Sequence, residues 1–276
     1  MFYDRFANCI LSIFFTFCSI LCLLKIIAKE FRHYFITFES QFFKMKYLLL
    51  ILMFFPMAMM AQSSFENGEK CFKSGKFELA KSYFETSLKQ NPNDLKTIEY
   101  LGDIECHYKK WEAAIPFYLK LTKLKPNNAE FFYKYGGAMG MQAKEANKFK
   151  ALSLLDDVKA AFKNAIQLNP NHIGARWALL EIYIQLPGFV GGSESNAKKY
   201  ADELLKISPV DGYLSKGHIE EYFKRYNNAE RFYLKAIEVG NSKTTYQKLA
   251  DLYKNKMAQP EKAKKLWAIY NEKNKS

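Results

Sequence analysis

The sequence predicts an all-α fold built from repeated helix pairs. Three observations predict it: a period marked by proline, a matching period marked by glycine, and helical spacing of apolar residues between the marks. Asn91-Pro92-Asn93 returns as Lys125-Pro126-Asn127 thirty-four residues later. Asn169-Pro170-Asn171 and Ser208-Pro209 follow after forty-four and thirty-nine more. Gly102 and Gly136 stand thirty-four apart as well. Self-similarity at such a period marks stacked supersecondary units, each unable to bury its apolar faces alone.

The elements follow in order. Each proline closes an amphipathic stretch: Tyr83 to Leu88, Phe117 to Leu121, Phe162 to Ile166, Ala201 to Leu205. Apolar residues there recur at i, i+3 and i+4, one face of a helix, and proline ends that helix and presets the turn into the next. A second helix lies upstream of each, marked by Tyr100-Leu101-Gly102 and Tyr135-Gly136-Gly137, where small residues admit close approach of two helices. The first unit runs through Phe65, Cys71, Gly75 and Ala80. Its Gly75 stands where a helix ends in a left-handed residue. Ala80 recurs as Ala114. The last segment, Lys254 to Ser276, is Lys-rich with Trp267 and Tyr270, and reads as a terminal helix with a solvated outer face.

These residues resemble the tetratricopeptide repeat (TPR) family, whose unit is a thirty-four-residue helix-turn-helix. Leu101-Gly102, Trp111, Ala114, Tyr118 and Pro126 match its pattern, as do Gly75, Phe77, Ala80, Phe84 and Pro92. Fainter copies carry Ala165 with Pro170, Tyr183 with Ala197 and Pro209, Ala229, and finally Leu249-Ala250, Tyr253, Ala263 and Trp267. The resemblance covers residues 62–273. It implies a right-handed superhelical solenoid of about five to six units, with the first helix of each pair lining a concave groove that binds a protein or an extended peptide.

Two units depart from the period. The third is ten residues too long near 141–150, and the fourth five too long near 186–193. Both excesses are expected in the turn inside their unit, side by side on one edge, with Phe149, Phe189 and Val190 joining them. A structural role in filling that edge is the first expectation, because insertions in repeats map to loops. The sharper one is a small anion site from Lys144, Lys148 and Lys150 with Gly188, Gly191, Gly192 and Ser193, the last capping a helix that begins near Glu194.

Helical spacing also suggests a groove. Glu99, Asp103 and His107 fall at i, i+4 and i+8 and share a face. Glu130 with Tyr133, and Trp177 with Glu181, occupy equivalent places in the next two first helices. If that face is concave, the groove is acidic with aromatic patches, whereas Lys81, Lys89, Lys120, Lys123, Lys159, Lys163, Lys198 and Lys199 fall on second helices, toward the convex side. The family's peptide clamp for a C-terminal carboxylate needs Lys, Asn and Arg in the groove, and that pattern is missing.

Composition bounds the rest. The chain has 276 residues, 49% of them hydrophobic, 13 Gly and 8 Pro, which excludes disordered and collagen-like classes. Five scattered Cys make neither a disulfide framework nor a zinc site. His33, His107, His172 and His218 lie far apart; His172, in an Asn-Pro-Asn-His turn, reads as a surface residue, and His218 as core or groove. No metal spacing, nucleophile elbow, phosphate loop or dinucleotide fingerprint occurs, so neither enzyme nor cofactor is expected. The net charge of +13 is spread along many helices rather than gathered into a nucleic-acid motif.

The first sixty residues differ. They hold half of the 24 Phe and two apolar runs. Met45-Lys46, the apolar Tyr47–Pro56 and Ala58 to Ala61 have the anatomy of a signal peptide at 45–61, and imply export to the periplasm or cell envelope. A signal belongs at an N-terminus, so the preferred reading starts translation at Met45 and treats 1–44 as an upstream extension. The alternative makes the nineteen uncharged residues Phe6–Leu24 a membrane helix that anchors the chain. The expectation is an exported bacterial scaffold that binds protein or peptide in its groove; the rival is a binder of anionic envelope polymer through the convex Lys face.

Overall fold

The computed structural model describes residues 64–274. Residues 67–276 form a compact unit distinct from 1–66. The described residues are helical from 64 to 73 (α1) and then in eleven further helices: α2 (Phe77–Gln90), α3 (Leu95–His107), α4 (Trp111–Leu124), α5 (Ala129–Glu145), α6 (Lys148–Leu168), α7 (Ile173–Gln185), α8 (Glu194–Ile207), α9 (Pro209–Tyr222), α10 (Tyr226–Gly240), α11 (Lys243–Asn255) and α12 (Pro260–Lys273). They make six helix pairs, and there is no strand among the described residues. Each helix packs on the next, and α5, α7, α9 and α11 also touch in succession. That is the contact pattern of a solenoid whose first helices form one layer and second helices the other.

One steric rule holds most pairs together. A side-chain carbon added to Gly68 would lie 2.7 Å from the Phe84 ring, at Gly102 2.7 Å from Tyr118, and at Gly217 2.4 Å from Tyr233. The buried aromatic of the second helix fills the space that glycine leaves in the first. Each pair is sixteen residues apart in sequence. Gly136 meets Phe162 in the same way, but twenty-six residues on, which locates the ten extra residues between them. The fourth unit reverses the sizes: Leu180 stands in the first helix and Ala201 in the second, both fully buried in one cluster. The summed volume is roughly kept, which close-packed interiors require.

The turns inside units come in two kinds. In units one, two, five and six a left-handed residue ends the first helix: Gly75, Lys109, Lys224 and Ala258, with φ of 71°, 56°, 59° and 53°. The second helix then begins with no side-chain cap. Units three and four use a side chain instead. Asn147 accepts from the Lys150 N–H, and Ser193 from the Asn196 N–H. First helices α3, α5, α7, α9 and α11 are all capped, by Asp94, Asn128, His172, Ser208 and Ser242.

The ten extra residues of unit three are helical rather than a loop. Helix α5 runs nine residues past Gly136, against five past Gly102 in α3; α6 begins ten before Val158, against three before Ala114 in α4. At ~1.5 Å per residue these extensions add about 6 and 10 Å to the hairpin. The expected aromatic glue is also corrected. Phe149 and Phe189 are 87% and 93% exposed, because the turns they occupy point them into solvent. The contact between the two edges runs through Lys159 of α6. Its ammonium lies over the Tyr183 ring and would sit 3.3 Å from a side-chain carbon at Gly191. His172 is corrected as well: it is buried, and its Nδ1 accepts from the Ala175 N–H to cap α7. Cys71 and Cys106 are free thiols, and burial pushes the Cys106 pKa up.

Candidate functional site

The layer of first helices is tied by side chains that step from one first helix to the next. Tyr100 of α3 donates to Glu69 of α1 at 2.8 Å; burial, then that bond, pushes the phenol up to about 12, so it stays a donor. Lys134 of α5 bridges Glu99 and Asp103 of α3 at 2.7 and 2.8 Å. Burial opposes the ammonium, yet hydrogen bonds to Asp103 and Glu99 hold its pKa above the usual lysine value. Asp103 also accepts from the Tyr118 hydroxyl at 2.7 Å. Glu130 of α5 lies 3.5 Å from His172 Nε2, and the Tyr133 ring packs on that imidazole and against Gly174 of α7. The Trp177 indole N–H of α7 donates to Asp211 of α9 at 3.0 Å. Glu181 of α7 pairs with His218 of α9 at 2.8 Å and accepts from Gln185. The His218 hydrogen bond holds the Glu181 carboxyl below the usual carboxylate range, against the effect of burial.

Six of the seven sequence-derived groove residues therefore sit on one polar ladder: Glu99, Asp103, Glu130, Tyr133, Trp177 and Glu181. His107 does not join it. It is exposed at the end of α3, its ring 3.9 Å from that of Phe77. Glu99, Asp103 and Glu181 are not a free acidic surface, since each is held by a neighbouring unit, whereas Glu130 only approaches His172 Nε2, a buried atom without a hydrogen-bond partner among the described residues. All four remain open to solvent all the same: the side chains of Glu99, Asp103, Glu130 and Glu181 are 30%, 29%, 52% and 40% exposed. Between Tyr133 and Met141, Gly137 leaves bare helix, and a side-chain carbon there would meet nothing within 4 Å. Sequence reasoning missed Lys134, Glu69 and Asp211. The offset that reveals two of these rungs is thirty-one residues, from Glu69 to Tyr100 and from Asp103 to Lys134.

The edge residues are placed differently. Lys144 lies near the end of α5, and Lys148 and Lys150 open α6, all three exposed. Residues Gly188–Val190 form one 3-10 turn. The N–H groups of Val190 and Gly192 donate to the Pro187 carbonyl, that of Gly191 to Gly188, and that of Ser193 to Tyr183. Those amides are spent on protein carbonyls. Gly191 has a φ of 93°, and a side-chain carbon at Gly192 would overlap the Leu186 carbonyl at 1.8 Å, so glycine is required at both. Among the described residues no group of three His, Cys, Asp or Glu is placed to hold a metal, and no helix is long and apolar enough to cross a membrane. The apolar runs at 6–24 and 47–60, and the divisions at 1–44 and 45–61, lie outside the described residues.

Comparison with known proteins bears on the family. The tetratricopeptide repeat pattern matches residues 70–94 and 210–239. Mouse protein O-mannosyl-transferase TMTC3 is 26% identical over 181 residues, which cover 62% of this chain and 19% of that protein. The chain thus spans about a fifth of that curated relative's length. Among solved structures, TTC0263, a thermophilic TPR protein of Thermus thermophilus, superposes with a TM-score of 0.55 at 17% identity, covering 70% of this chain and 98% of its own. A tetratricopeptide repeat protein from Parabacteroides merdae gives a TM-score of 0.56 at 18% identity, covering 75% and 77%. At such identities the likeness is one of fold. That fold serves generally as a protein–protein interaction scaffold. The repeated glycine–aromatic pairs and the six helix pairs thus accompany tetratricopeptide repeats at residues 70–94 and 210–239, in a fold shared with solved tetratricopeptide repeat proteins.

Proposed function

We propose that the chain is an exported scaffold, not an enzyme, that holds an extended segment of a partner protein along the inner layer of first helices. The observation that carries this reading is the ladder. It fixes three carboxylates, Glu99, Asp103 and Glu181, in place while leaving each between 29% and 40% exposed, so they are acceptors ordered before a ligand arrives. Preorganised groups lose little entropy on binding. Trp177 and Tyr133 stand among them as half-buried aromatic anchors, and bare helix at Gly137 gives backbone room. The chemistry selects a basic or amide-rich peptide. A catalytic reading has less support, because the titratable groups here are spent in bridges between units. The convex Lys face is also weaker than its sequence suggests: Lys81 is paired with Glu105, Lys198 with Glu194, and Lys120 donates to the Pro92 carbonyl. The signal-like segment 45–61 supports export, and residues 6–24 the alternative of a membrane anchor.

The test fills the groove without cutting the ladder. A displayed peptide library panned on the chain should return basic sequences. Gly137→Trp should weaken their binding at least about tenfold with unchanged melting, since the new side chain enters open space. Equal binding by parent and variant would overturn the groove reading.

A further inference from the structure

The edge of units three and four carries an exposed feature that the solenoid does not need. Phe149 and Phe189 are almost wholly in solvent, and Leu152 and Met141 are 48% and 37% exposed. Exposure this complete is unusual for a phenylalanine, and it recurs on the turns of two neighbouring units. Neither Phe is loose. Phe149 stands in the first turn of a twenty-one-residue helix capped by Asn147, on a hairpin lengthened by about 10 Å. Phe189 is presented by a turn locked by four backbone hydrogen bonds and two glycines that tolerate no substitute. Lys144, Lys148 and Lys150 lie about the first tip with one exposed carboxylate, Glu145, among them; Lys144 also acts at a distance on Glu181, and none of the three lysines forms an ion pair among the described residues.

We propose that this edge docks on an anionic lipid surface, with Phe149 and Phe189 entering the interface and the three lysines meeting headgroup charge. The two turns belong to adjacent units; Lys159, which reaches the fourth unit's turn at Gly191, stands ten residues along α6 from Phe149, about 15 Å, so the unit-three tip projects beyond the other on the same side. Apolar side chains on protruding tips beside lysines give burial and attraction to anionic headgroups at once. Charge argues against a second copy of this chain, because self-association through the same patch would oppose Lys144, Lys148 and Lys150 to their own counterparts. The apolar stretches within residues 1–61 fit a chain that works beside a membrane.

The experiment reads the edge locally in the full chain, so that lipid contact by residues 1–61 cannot imitate it. Amide hydrogen exchange is followed with vesicles of phosphatidylcholine alone, and with vesicles containing roughly a third phosphatidylglycerol, in low and high salt. Anionic vesicles at low salt should slow exchange of the 146–150 and 187–190 segments several-fold, and high salt should relieve it. A Lys144→Ala, Lys148→Ala, Lys150→Ala variant should lose the effect. Phe149→Ala and Phe189→Ala should each weaken it about tenfold, with melting unchanged. Slowing without lipid that grows with protein concentration would assign the edge to self-association instead. Slowing by both vesicle types alike in the lysine variant would remove the headgroup role. No slowing in either segment, with the chain bound to vesicles, would overturn the proposal.

Discussion

Units two and four solve the same problem in opposite ways. In unit two Gly102 admits Tyr118, the turn is made by Lys109 in a left-handed conformation, and α4 starts uncapped. In unit four Leu180 faces Ala201, the turn is five residues longer, and Ser193 caps α8. Both place two helices in contact at full burial. The fold thus fixes the summed volume at a helix crossing and the direction of the returning chain, and leaves open which helix carries the bulk and which group closes the turn.

The comparison breaks most sharply at the crossing. Tyr118→Ala should cost about 3–5 kcal/mol by chemical denaturation, for it empties a buried ring site and removes a bond to Asp103. Adding Gly102→Leu to that variant builds unit four's solution into unit two and should restore roughly 1–3 kcal/mol; no recovery would mean that the two crossings differ in geometry as well as in size. The turns sharpen it next. Ser193→Ala and Asn147→Ala should each cost about 1 kcal/mol, whereas Lys76→Ala and Lys110→Ala, at uncapped starts, should stay within about 0.5 kcal/mol in the same melts. Lys109→Gly should stabilise by about 0.5–1 kcal/mol, because glycine adopts that positive φ without strain, while Ala146→Gly, at φ −76°, should not. The smallest effect is on the ladder. The His218 hydrogen bond holds Glu181 below the ordinary carboxyl value of 4.5, so its contribution is present above that pH and fades as pH falls through the lower folded value. Glu181→Gln should flatten that acid limb by lowering the neutral plateau toward the acid value, since the contribution it removes is the one present above pH 4.5.

Much of this was legible in the sequence, for identifiable reasons. The thirty-four-residue spacing of Gly102 and Gly136 shows because a glycine is forced wherever a ring such as Tyr118 or Phe162 must enter. The shared face of Glu99 and Asp103 shows because helical spacing is local. Their partner Lys134 does not, since it arrives from the next unit and no local pattern joins them. The period count places the ten extra residues but not their conformation: Asn147 caps them and α6 continues them as helix, where a loop was expected. His172 looked like a surface residue because Asn169-Pro170-Asn171 is polar, yet an imidazole caps α7 in place of the usual Ser or Asp. Unit four hid its crossing because Leu180 and Ala201 reverse the sizes by which the other units are recognised.

The main contacts between helices reach from one helix to the next or the next but one. The chain therefore needs no distant segment to finish any of its pairs. As the chain emerges N-terminus first, α3 and α4 can close on each other before α7 has appeared, and each later pair adds to a surface already formed. Assembly in order of synthesis keeps the emerging apolar faces covered soon after they appear, and it makes the rate of folding a matter of local encounters instead of long loop closures.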